Sequence, residues 1–187
     1  MRRALAIGEQ QLVAVFVGSE WERKGLGPLI RALANARDWT LVVAGAGDEA
    51  RFRELADAAG VGAAVRWLGA VNDVQLVYQL ADAFVLPSSY ETFSLVTFEA
   101  AASGLPVLAT PVNGVRELIE DGRNGFLITR DPQQIAERLG QLAADPELRT
   151  TMGLAARESA LHYSWAAMVE HHSDLYAQLE GDARVPQ

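Results

Sequence analysis

The feature that most constrains this 187-residue chain is its alternation of short, continuous apolar runs with longer amphipathic ones. Leu12–Val17 (LVAVFV), Leu41–Ala44 (LVVA), Val65–Leu68 (VRWL), Ala83–Leu86 (AFVL), Pro106–Ala109 (PVLA) and Gly125–Ile128 (GFLI) read as strands. Their apolar residues are mostly consecutive rather than at every second position, which predicts strands covered on both faces. Leu26–Ala36, Glu49–Ala59, Asp73–Ala81, Leu95–Ser103 and Val115–Glu120 read as the helices between them. Such alternation demands right-handed crossovers and a parallel sheet. The expected fold class is α/β, an open doubly wound parallel sheet with helices on both faces.

Beyond Asp131 the pattern is helical only. Pro132 and Pro146 each follow an aspartate, a good start for a helix with proline in its first turn. Trp165, Met168, His172, Leu175 and Leu179 fall at helical spacing and form an apolar stripe expected to lie against something. Trp165 and Tyr176 are expected in the core, and His162, His171 and His172 at surface or stripe positions without a catalytic role. The expected organisation is one domain over 1–187: an α/β core at 11–130, C-terminal helices at 131–180 and a frayed tail at Gly181–Gln187.

Composition narrows the function classes. A net charge of −8 argues against sequence-independent nucleic-acid binding, so no nucleic-acid partner is expected. Any anionic ligand must instead meet cations concentrated locally. No run approaches the length of a membrane span, and the start, MRRALAIGEQQ, has too short an apolar run for a secretory leader. The chain has no cysteine, which excludes disulfides and thiolate metal sites and fits a reducing compartment. The expected location is the cytoplasm or the inner face of the cytoplasmic membrane, with any membrane contact peripheral.

Three strand-end loops carry the residues of interest, and ligands of open parallel sheets bind at the carboxyl ends of strands. Gly45-Ala46-Gly47-Asp48-Glu49-Ala50 matches a dinucleotide fingerprint weakly. The next strand ends without the acidic residue that a nicotinamide dinucleotide's ribose would want, which favours tight-turn glycines over an NAD site. Arg23 and Lys24, between Gly18 and Gly25, sit in a strand-to-helix loop and could clamp a diphosphate or form a solvated pair answering Glu20 and Glu22. Glu91 and Glu99 flank Thr92-Phe93-Ser94-Leu95-Val96-Thr97-Phe98. Glu99 falls in an apolar helix that reads as buried, so its carboxylate needs donors. Ribose hydroxyls and a buried Arg or Lys satisfy that need equally well. No Asp/Glu/His metal cluster is evident.

The sequence FVGSEWERKG, LVVAGAG, VRWLG, ADAFVLPSSYETFSLVTFEAAASGLPVLAT and NGVRELIEDGRNGFLI, in that order, resembles the retaining glycosyltransferases of group 1 (GT4), which have the two-lobed GT-B fold. The likeness runs from about Leu12 to Leu179, and its E-x7-E stretch is the specific part. It covers the C-terminal, Rossmann-like, donor-binding half only. The GSEWERKG opening looks most like the lipopolysaccharide core glucosyltransferase branch.

What the resemblance implies is transfer of a sugar from a nucleoside diphosphate, expected to be a UDP-sugar, to an acceptor hydroxyl. It implies no further cofactor and no metal, and as partners an N-terminal acceptor domain and a glycan or lipid-linked acceptor. Lys24 would meet the diphosphate with Arg23 beside it. Glu91 would engage sugar hydroxyls and Glu99 the ribose. Thr92, Phe93, Ser94 and Leu95 would form the loop around the sugar and phosphates, with Gly18, Gly45 and Gly47 close to the donor. Two departures stand out: Ser19 replaces a common arginine, and Ser94 a common glycine that would leave the sugar site wider. The rival classes are an NAD-binding oxidoreductase domain and a non-catalytic interaction module.

Overall fold

A computed structural model describes residues 1–182. Six strands form one parallel sheet: β1 (Leu12–Val17), β2 (Trp39–Ala44), β3 (Val65–Gly69), β4 (Ala83–Leu86), β5 (Val107–Ala109) and β6 (Gly125–Leu127). Their order is β3-β2-β1-β4-β5-β6, with every pairing parallel. The chain therefore winds outward in one direction through β3, then returns past β1 and winds outward in the other. The crevice between the carboxyl ends of β1 and β4 is the point where strand order reverses. As their continuous apolar runs predict, β2 and β4 are buried along their whole length.

Among the described residues nine α-helices follow the strands: α1 (Trp21–Lys24), α2 (Leu26–Ala32), α3 (Glu49–Ala58), α4 (Gln75–Gln79), α5 (Leu95–Ala102), α6 (Val115–Leu118), α7 (Pro132–Ala144), α8 (Pro146–Leu161) and α9 (Trp165–Asp182). The predicted proline starts are present. Asp131 accepts from Gln133 N at 3.1 Å and Asp145 from Leu148 N at 2.9 Å, each with proline in the first turn. α7 packs against α2, and α8 against α5.

The expected boundaries need four corrections. The segment after β1, read as a loop, contains the one-turn helix α1, closed at both ends by residues in the left-handed region, Glu20 (φ 53°) and Gly25 (φ 82°). β2 starts two residues early at Trp39, which is buried and donates from Nε1 to Leu139 O at 3.0 Å. The apolar stripe of α9 lies on nothing among the described residues. Trp165 is 71 % exposed, and Met168, Leu175, Tyr176 and Leu179 are exposed with it, so neither Trp165 nor Tyr176 is core. Finally α9 continues through Gly181 and Asp182, where a tail was expected, and the rest of that tail lies outside the described residues.

Candidate functional site

The site forms where the loops after β1, β2 and β4 meet, and small residues let them meet closely. A Cβ on Gly45 would sit 2.1 Å from Gly18 O, and one on Gly47 would sit 2.3 Å from the Trp21 ring. Both glycines of the GAGDEA stretch are thus required by packing. Trp21 donates from Nε1 to Gly18 O at 2.8 Å and rests against Phe52 and Trp67, at ring-centre distances of 5.6 and 5.4 Å. α1 is braced further by Arg130, whose guanidinium donates to Glu22 O at 3.0 Å.

This brace delivers Lys24. Its stem passes over Gly18, where a Cβ would come within 2.7 Å of Cδ and Cε. Its Nζ lies 2.7 Å from Glu91 Oε1, across the reversal of strand order. Lys24 is 9 % and Glu91 6 % exposed. Ser88 Oγ donates to the same Glu91 oxygen at 2.7 Å, and Arg23 Nη1 approaches Oε2 at 3.4 Å. Arg23 also donates to the Glu20 carboxylate and to Tyr90 O. Ser89 N and Oγ return to Arg23 O at 2.9 and 3.1 Å, stitching the β4 loop to α1.

Two expectations change here. Arg23 and Lys24 stand in the last turn of a short helix, not in an open loop. Glu20 and Glu91 answer them, and Glu91 rather than Glu22 is the second partner, because a buried ammonium without a counter-charge is strongly disfavoured. Burial alone would push the Glu91 carboxyl up. The hydrogen bonds from Lys24 and Ser88 and the charges of Lys24 and Arg23 outweigh that, holding it below the usual carboxylate range.

A depressed folded-state value means that Glu91 stabilises the fold above its unfolded value of about 4.3 and stops doing so as pH falls below it. Wild type should therefore lose stability more steeply than Glu91→Gln as pH falls below about 4.3 in urea titrations. Parallel profiles would show that the pairing is absent in solution.

Glu99 departs from expectation differently. It is exposed, not buried, on a helix whose Thr97, Phe98, Ala100 and Ala101 face inward. One of its oxygens, Oε2, accepts from Tyr78 Oη at 3.0 Å. Burial, with the Glu99 charge and hydrogen bond, pushes the Tyr78 phenol well above its ordinary value.

Between the two glutamates, Thr92, Phe93 and Leu95 are exposed and Ser94 is buried. Ser94 Oγ pairs with Thr97 Oγ1 at 2.7 Å, so its hydroxyl is turned inward. Leu95 N donates to Phe93 O at 3.1 Å, while among the described residues the N–H groups of Phe93 and Ser94 have no acceptor. Phe93 stacks on Phe98 at 4.9 Å. Ser19 is exposed.

Two clefts open on the surface, the first of them beside this centre. One of about 480 Å³ borders α1 and is lined by Trp21, Arg23, Gly47 and Arg51 among others. A larger one, of about 570 Å³, lies between α6 and α8 and includes Arg116, Asn124, His162 and Tyr163. The buried polar side chain of the larger cleft, Asn124, is already satisfied by Leu118 O and Ser159 Oγ. No group of three or more metal-ligating side chains occurs among the described residues. Nor is any helix there long and apolar enough to cross a membrane.

Trp21, Ser88, Tyr78 and Arg130 were not singled out by sequence reasoning. A tryptophan inside GSEWERKG was the available signal for the first, and the serine of the PSS turn for the second. Tyr78 and Arg130 act through tertiary contacts that carry no local pattern.

Comparison with known proteins decides the family. The profile "Glycosyl transferases group 1" matches residues 1–159. The chain belongs to the group 1 glycosyl transferases. It is 37 % identical over 196 residues to the D-inositol 3-phosphate glycosyltransferase of Corynebacterium diphtheriae, covering 97 % of this chain and 45 % of that protein. It is 31 % identical to WaaG, a glycosyltransferase involved in lipopolysaccharide biosynthesis, with a TM-score of 0.82 over 93 % of this chain and 49 % of WaaG. Anabaena HepE in complex with UDP shares the fold at a TM-score of 0.88 and 24 % identity, over 95 % of this chain and 51 % of HepE. This group 1 chain thus spans about half the length of the curated relatives that it matches, and its sheet is one Rossmann-like half of a GT-B fold. The lipopolysaccharide link comes through WaaG, beside a relative named for inositol phosphate.

Proposed function

We propose that this chain is the donor-binding, C-terminal half of a retaining glycosyltransferase, and that it holds a nucleoside diphosphate sugar, with UDP as the nucleotide. The observation that carries this reading is the buried Lys24–Glu91 pair at the reversal of strand order, in a chain of this family. The Lys24 ammonium has three donors, and Glu91 occupies one of them, which leaves two for a diphosphate. The free N–H groups of Phe93 and Ser94, just before α5, add donors where the helix dipole favours negative charge. As the glycosidic bond breaks, charge develops on the leaving diphosphate. Lys24, Arg23 and these amides lie ready to stabilise it, and no resident metal enters the reading.

Glu91 positions the sugar in this scheme. Its Oε1 is taken by Lys24 and Ser88, and a carboxylate held below its ordinary range is a weak base and a weak nucleophile. Sugar hydroxyls can donate to Oε2, and Glu99 is assigned the ribose. Gly18, Gly45 and Gly47 let the loops approach the donor. The other half of the full-length enzyme would supply the acceptor site for a glycan or lipid-linked hydroxyl, in the cytoplasm or at the inner membrane face.

Millimolar UDP is expected to raise the melting temperature by about 5–10 °C, the effect of roughly 100-fold saturation on a chain of this size. Lys24→Ala and Glu99→Ala should blunt the rise. If UDP, GDP and ADP all leave the melting curve unmoved, the reading fails. The chain by itself should show no sugar transfer.

A further inference from the structure

Tyr78, on α4, is almost fully buried, with its ring edge-on to Phe84 of β4 at 6.2 Å. A buried phenol needs an acceptor, and its single proton can serve one at a time. Val96 O lies at 3.3 Å and belongs to a carbonyl inside α5, which the helix ladder already uses. Glu99 Oε2 is closer at 3.0 Å and charged, so it is the stronger acceptor. Glu99 itself is exposed, and among the described residues its Oε1 has no hydrogen-bond partner. An exposed glutamate ordinarily samples several rotamers, and binding must then supply the cost of fixing one. Here a rigid residue of the core fixes it beforehand.

We propose that Tyr78 is a positioning residue for the donor's ribose: it ties one oxygen of Glu99 inward and leaves the other presented to the 2′ and 3′ hydroxyls. This rests on the ribose role given to Glu99 above. Tyr78 touches no part of the ligand, so it acts through Glu99 alone. Phenylalanine would keep the packing against Phe84 and lose only the anchor.

The test compares dissociation constants for UDP and 2′,3′-dideoxy-UDP in wild type, Tyr78→Phe, Glu99→Ala and the double variant, with melting temperatures alongside. Tyr78→Phe should weaken UDP by about three- to tenfold, the scale of one side chain newly immobilised on binding. It should leave the dideoxy ligand unchanged and have no further effect in the Glu99→Ala background. If Glu99→Ala removes the preference for UDP but Tyr78→Phe keeps it, the Tyr78 assignment is overturned and the ribose role of Glu99 stands. If Glu99→Ala keeps the preference, the ribose role itself is wrong and the assignment falls with it. Equal weakening of both ligands would mark Tyr78 as merely structural and overturn the assignment. In the unliganded wild type, side-chain couplings of Glu99 should report one dominant rotamer, and averaged couplings overturn the proposal however the variants behave.

Discussion

Replacing Lys24 with methionine should lower the stability of the chain by about 3 kcal/mol and abolish the melting-temperature rise given by UDP. The stability loss follows from leaving Glu91 buried without its ammonium, a change that typically costs about 3–5 kcal/mol. The lower end applies because Ser88 and Arg23 still face the carboxylate. The binding loss follows from removing the best-placed cation at the reversal of strand order. The two effects separate in a double variant, Lys24→Met with Glu91→Leu. Replacing a buried ion pair by apolar side chains is often neutral, so stability should return to within about 1 kcal/mol of wild type. Nucleotide binding should not return. Urea denaturation and thermal shift measure both quantities, and an unaltered stability in Lys24→Met would mean that the pair is solvated in solution.

Gly45→Ala is expected to have an effect of comparable size for a different reason. Gly45 has φ +122°, a conformation that L residues rarely adopt, and its Cβ would land 2.1 Å from Gly18 O. Backbone strain of about 1–3 kcal/mol adds to an overpacking cost of about 1–3 kcal/mol, because the obstacle is backbone and cannot swing away. The sum, roughly 2–6 kcal/mol, corresponds to a fall in Tm of about 5–15 °C in a chain of this size. Gly140→Ala is the control. Gly140 is exposed within α7 with nothing within 4 Å of an added Cβ, so alanine should stabilise by about 0.5–1 kcal/mol through helix propensity. Similar behaviour of the two variants would refute the close approach of the loops after β1 and β2.

The sheet was legible because each strand announces itself locally, through a continuous apolar run bounded by polar or glycine-rich loops. The same locality made α1 invisible: WERK is one turn, too short for any period, and it is held by distant partners, Phe52 and Trp67 against Trp21 and Arg130 on Glu22. The residues of the site could be named from motif order, but their state could not. The apolar helix pattern predicts burial at Glu99, whereas the fold buries Glu91 against Lys24 and exposes Glu99 beside Tyr78. Which face of α5 points inward depends on α8, which lies more than forty residues further along. The stripe on α9 shows the limit of periodicity, for spacing predicts a face and says nothing about what covers it.

The Lys24–Glu91 contact joins residues 67 positions apart, in the segments that follow β1 and β4, neighbouring strands separated in the chain by β2 and β3. The buried pair therefore cannot exist until β1 and β4 lie side by side. During synthesis on the ribosome, a nascent segment that has not yet released β4 and its loop lacks Glu91 and hence the pair. Under the donor-binding reading, retention of nucleotide would report that the central strands have closed.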